Sequence, residues 1–74
     1  MTATPGRQLA TGRTADIFEW GPDRVVKVFT GALDDAAIAT EVRDSIEANT
    51  LGITPIRCHG TTVLDDGRVG IVFD

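Results

Sequence analysis

Leu9–Phe29 reads LATGRTADIFEWGPDRVVKVF, and it decides the fold. The pattern is strand, glycine-containing turn, strand, tight turn, strand. The first strand covers Arg7 to Thr11, with Leu9 expected to point inward, and Gly12-Arg13-Thr14-Ala15 is the first turn. In the second strand, Asp16 to Trp20, Ile17 and Glu19 share one face while Phe18 and Trp20 share the other. Gly21-Pro22-Asp23 is a strong turn signal, because proline presets one dihedral and its neighbours tolerate the rest. The third strand, Arg24 to Thr30, is valine-rich and carries one lysine, Lys27. An ammonium in an apolar strand either snorkels to water along its packed stem or needs an anion beside it.

Upstream, Met1 to Gly6 is small and polar and reads as a flexible tail, leaving residues 7–74 as one domain. Downstream, Gly31 breaks the strand pattern. Asp34 or Asp35 then offers an N-cap at the positive end of a helix. Ile38, Val42 and Ile46 recur at four-residue spacing, with Leu51 roughly continuing the stripe. This predicts an amphipathic helix of about four to five turns whose opposite face carries Arg43, Asp44 and Glu47. Gly52 suits the position just past its end, and Pro55 prevents continuation. A fourth strand runs from Ile56 to Leu64, alternating through Ile56, Cys58 and Leu64. Asp65-Asp66-Gly67 is a hairpin turn. The fifth strand, Arg68 to Phe73, has Val69, Ile71 and Phe73 on one face and Val72 opposite. The fold class is therefore α+β: a five-stranded antiparallel sheet with one helix packed on it, in the order βββαββ.

Seventy-four residues permit one small domain, near the limit for folding without staples. A hydrophobic share of 42% suits a globular chain rather than a disordered one. The single cysteine, Cys58, excludes an internal disulfide and suits a reducing cytoplasm, and a zinc pattern is missing. The first residues lack the basic and apolar regions of a signal peptide, and no apolar run is long enough to span a membrane. A net charge of -4 argues against nucleic acid or anionic lipid as partner.

Three features bear on chemistry. In Gly12–Ala15, small residues let backbone N–H groups approach an anion, and Arg13 and Thr14 add donors. Lys27 supplies a cation. Glu41 lies beside Val42, on the flank of the helix expected to face the sheet. Taken singly, each has an ordinary explanation: a hairpin, a snorkelling lysine, a surface glutamate. Together they form a flexible hairpin over a ligand, a lysine on the third strand and a glutamate on the next helix. The glutamate holds the lysine extended toward the phosphates of a nucleotide.

These residues resemble the N-terminal lobe of the protein-kinase-like phosphotransferases, specifically the aminoglycoside phosphotransferase and choline-kinase-like group. The resemblance rests on Gly12-Arg13-Thr14-Ala15-Asp16-Ile17, Val25-Val26-Lys27-Val28-Phe29, Glu41, Leu51-Gly52-Ile53-Thr54-Pro55, His59-Gly60, Asp66-Gly67-Arg68 and Gly70-Ile71-Val72-Phe73. It covers nearly the whole chain from Leu9 onward. It implies a kinase-like N-terminal lobe that binds ATP. Gly12, Arg13, Thr14 and Ala15 would cover the phosphates, Lys27 would contact them, and Glu41 would be its helix partner. Ile17 and Val25 would line the adenine pocket, and Phe73 and Asp74 would begin the hinge that presents backbone groups to the adenine edge. The loop has one glycine where protein kinases have three, which makes it stiffer, and Asp74 stands where this group usually has glutamate.

Such enzymes carry the catalytic aspartate, the magnesium ligands and the acceptor site in a second, mostly helical lobe. The chain holds no His-x-Asp segment, so no catalytic residue is assigned, and Mg²⁺ is expected only with that second lobe. The resemblance therefore implies the ATP-binding half of a small-molecule kinase, unable to transfer a phosphoryl group alone. The alternative is a stand-alone, non-catalytic module that binds nucleotide or a protein partner. Expected partners are a nucleotide, the chain's own C-terminal lobe if it is a fragment, and a second copy through an exposed cleft face. His59 reads as a structural histidine, Cys58 as a small buried hydrophobe and Trp20 as cover for the sheet edge.

Overall fold

The computed structural model describes residues 5–31 and 34–74. Residues 1–4 of the expected tail lie outside the described residues. Among the described residues, five strands and one helix follow one another as β1 (Gln8–Thr11), β2 (Ala15–Trp20), β3 (Arg24–Phe29), α1 (Asp35–Thr50), β4 (Cys58–Val63) and β5 (Val69–Phe73). All neighbouring strands pair antiparallel. In space the order is β1-β2-β3-β5-β4, so β5 lies beside β3 and β4 takes the outer edge. The α1 connection from β3 thus leads to the edge strand, and the last hairpin folds back into the sheet.

Strand alternation divides the sheet into two faces. Val26, Val28, Leu64 and Val72 form the core on one face, with Phe18 and Trp20 packed against them. Val26, Val28 and Leu64 are fully buried. Gly70 lies opposite Val28 in the β3–β5 ladder. A Cβ there would come within 2.5 Å of the Val26 Cγ2, so the closeness of these two strands depends on the missing side chain.

The other face carries Lys27, with Ile17 and Ile71 directly across from it in the ladders. The helix lies on this side, resting chiefly on the edge strand β4. Its start is capped by Asp34, whose carboxylate accepts from the Ala37 N–H at 2.8 Å. Its end is a Schellman motif: the Ile53 N–H donates to Ala48 O at 2.9 Å and the Gly52 N–H to Asn49 O at 3.1 Å. That motif needs a left-handed residue, and Gly52 adopts φ +77°.

Three expectations about which way side chains face are corrected. First, the apolar stripe of α1 is not buried: no residue of the helix is, and Ile46 and Leu51 are 46% and 66% exposed. Opposite Ala39, Val42, Arg43 and Ile46, β4 presents Gly60 and Thr61. These are too small to fill the space, and a groove of about 490 Å³ remains. Second, Leu9 does not point inward but is 46% exposed. It is the extra residue of a bulge, since Gln8 pairs with Phe18 while Ala10 pairs with Ile17. Third, Ile56, Cys58 and Leu64 do not share one face. Ile56 precedes β4 and is half exposed. Cys58 pairs with Phe73 and Gly60 with Val72, so His59 is the extra residue of a second bulge. One inserted residue reverses the alternation, which puts Cys58 on the Lys27 face and Leu64 in the core. Gly60 accommodates the bulge with φ +94°.

At the N-terminal boundary, Gly6 belongs with the sheet rather than with a tail. Its N–H donates to Glu19 O at 2.8 Å, and the Glu19 N–H returns to Arg7 O at 2.9 Å.

Candidate functional site

Lys27 sits at the middle of β3, and its Nζ donates to Glu41 Oε1 at 2.7 Å. The β3 ladder brings the ammonium to the side of the sheet where α1 passes. The helix turn at Glu41 then supplies the carboxylate. The distance is that of a charge-assisted hydrogen bond. The two side chains are 29% and 33% exposed, so water still screens the pair. A lysine ammonium has three donors, and this bond occupies one. Its ring neighbour is Phe29, whose centroid lies 5.1 Å from Nζ.

Register places the other expected site residues around this pair. Ile17 lies directly across from Lys27, and Val25 lies between Glu19 and Phe73. Ile17, Val25, Lys27 and Phe73 therefore share the face on which Glu41 arrives, and all of them are half-buried. Ala15 is buried and opposes Phe29, fixing the end of the Gly12–Ala15 turn against β3.

That turn is held more firmly than a flexible cover would be. The Gly12 N–H donates to Ala15 O at 2.9 Å, so this amide is already committed within the hairpin. Thr11 Oγ1 donates to Asp16 Oδ1 at 2.6 Å across its base. Thr30 ties it to the far end of β3: its N–H donates to Thr14 O at 2.9 Å and its hydroxyl to Arg13 O at 3.3 Å. Arg13 and Thr14 themselves are exposed at the tip.

Asp74 is drawn toward β4. Its N–H donates to Arg57 O at 3.1 Å, and its carboxylate accepts from His59 Nε2. The hydrogen bond from His59 holds the Asp74 carboxyl below the usual carboxylate range, and Arg24 and Arg57 reinforce this from a distance. The backbone N–H expected to face an adenine edge is thus in use. His59, read as structural and without a carboxylate near it in sequence, has one in space.

Sequence reasoning missed Phe29, Thr30 and the His59–Asp74 pair. The first was accessible: in a strand, residue 29 must share the face of residue 27. The other two depend on contacts between distant parts of the chain. Further cavities flank the site. One of about 330 Å³ lies between Glu41, Asp44, Ala48, Ile56 and Phe73, and one of about 500 Å³ lies by Leu9, Glu19 and Val25. Among the described residues no three His, Cys, Asp or Glu side chains converge as metal ligands. Nor is any helix there long and apolar enough to cross a membrane.

Compared with protein-family models, with curated proteins and with solved structures, the chain gives no significant match in any of the three.

Proposed function

We propose that the chain is the ATP-binding half of a small-molecule phosphotransferase, with the fold of a kinase-like N-terminal lobe. One observation carries the reading: the 2.7 Å bond between Lys27 on the third strand and Glu41 on the following helix. A lysine held extended by a carboxylate, with donors to spare, is suited to an anionic ligand that carries several oxygens. Ile17, Val25 and Phe73 offer an apolar surface on the same face for a planar base.

The residues fit a nucleotide in part. Lys27 would hold phosphate oxygens, and the exposed Arg13 guanidinium would add a second cation from the loop tip. The Gly12 amide would contribute little, since Ala15 O already occupies it. ATP, when bound, supplies the transferable phosphoryl group. The chain's own residues bind and orient it, and the base and metal ligands of a complete reaction belong to a second lobe.

Binding of a non-hydrolysable ATP analogue, followed by amide chemical shifts, tests the reading. Shifts concentrated at residues 12–17, 25–29 and 73 support it. Saturation without a change at Lys27 or its neighbours would refute it.

A further inference from the structure

We infer that Phe29 is a positioning residue for the Lys27 ammonium, a role resting on the nucleotide-site reading only for its consequence and not for its geometry. Phe29 is two residues beyond Lys27 on β3, so both side chains leave the sheet on the same face. The ring centroid lies 5.1 Å from Nζ, within the range where the negative face of an aromatic ring attracts a cation. Across the ladder Phe29 faces Ala15, the buried residue that closes the Gly12–Ala15 turn. The next residue, Thr30, binds the Arg13 and Thr14 carbonyls of that turn.

The ring thus connects the cation to the loop. Glu41 holds Nζ from the helix side through a hydrogen bond with one preferred direction. Phe29 holds it from the sheet side through a contact that does not use a donor. The ring therefore limits where the ammonium can stand while leaving its remaining N–H groups for an anion. A carboxylate alone would not do this, because a lysine has four rotatable bonds and the pair is about a third exposed.

The test has two parts. In the wild-type protein, ring currents should move the Lys27 ε-methylene protons upfield of their position in a flexible lysine. Resonances at the flexible-chain position would overturn the proposal without any variant. In Phe29→Leu, Lys27 should be acylated by an amine-directed reagent about 2- to 5-fold faster than in the wild type, and Phe29→Trp should restore the slow rate. Equal rates in wild type and a folded Phe29→Leu variant would overturn it. The nucleotide-site reading fails separately, if the wild-type protein does not bind an ATP analogue; the ring-current and acylation results stand or fall regardless. Where both hold, Phe29→Leu weakens analogue binding by a similar factor and Phe29→Trp recovers it.

Discussion

Lys27 and Glu41 are fourteen residues apart in sequence and bonded in space. Their meeting was legible only from the combination of a lysine on the third strand with a glutamate on the sheet-facing flank of the next helix, since each alone has an ordinary explanation. The surroundings of Asp74 were not legible, because its partner His59 reaches it only through the bulge at the start of β4. That pair makes a prediction about acid. The hydrogen bond from His59 lowers the Asp74 carboxyl below the usual carboxylate range. A group with a depressed folded-state pKa contributes stability above its unfolded pKa and loses it as pH falls through the folded value. Unfolding followed by urea at a series of pH values should therefore show a steeper loss below about pH 4 in the wild type than in Asp74→Asn. The effect is small, because the carboxylate faces solvent. Parallel profiles would show that the bond to His59 does not differ between folded and unfolded chains.

At the scale of elements, the strands and turns were the most legible parts. Gly21-Pro22-Asp23 and Asp65-Asp66-Gly67 both form the turns their chemistry demands, and alternation separated Phe18 and Trp20 from Ile17 and Glu19, and Val72 from Ile71 and Phe73, without saying which face holds the core. Bulges were not legible. Leu9 and His59 carry no local mark of being extra residues, and each reverses the faces beyond it. The helix was half legible. Its caps follow from Asp34 and Gly52, but the burial of its stripe depends on what β4 places beneath it, and there the chain has Gly60 and Thr61. A helix with no buried residue depends on its ends more than a packed one does. Asp34→Ala should cost about 1 kcal/mol, seen as a lower urea midpoint, with faster amide exchange concentrated in the first turn of α1. Exchange slowed or unchanged in that turn would mean that tertiary contacts, rather than the cap, hold the helix start.

Across the whole molecule, the Val26–Val28–Leu64–Val72 cluster lies on one face of the sheet and the candidate site on the other, where Ala15, Cys58 and Ile71 are also buried. Apolar side chains remain uncovered around the site side and the helix end, among them Leu51, Ile53 and Ile56, each more than half exposed. Exposed apolar surface of this kind favours association. Light scattering should show a mass rising with concentration, and a monomer that persists to high concentration would contradict this. The site itself is inexpensive to disturb: the Lys27–Glu41 pair is partly solvated, so Glu41→Ala should change stability by only ~0–1 kcal/mol. Loss of function can thus be separated from loss of fold. The deciding measurement is a calorimetric titration of a non-hydrolysable ATP analogue with Mg²⁺ into the wild type, Lys27→Ala and Glu41→Ala. The account predicts weak, saturable binding to the wild type, reduced binding to Glu41→Ala and none to Lys27→Ala, all three chains being folded. Binding that is absent from the wild type, or that survives unchanged without the lysine, would contradict it.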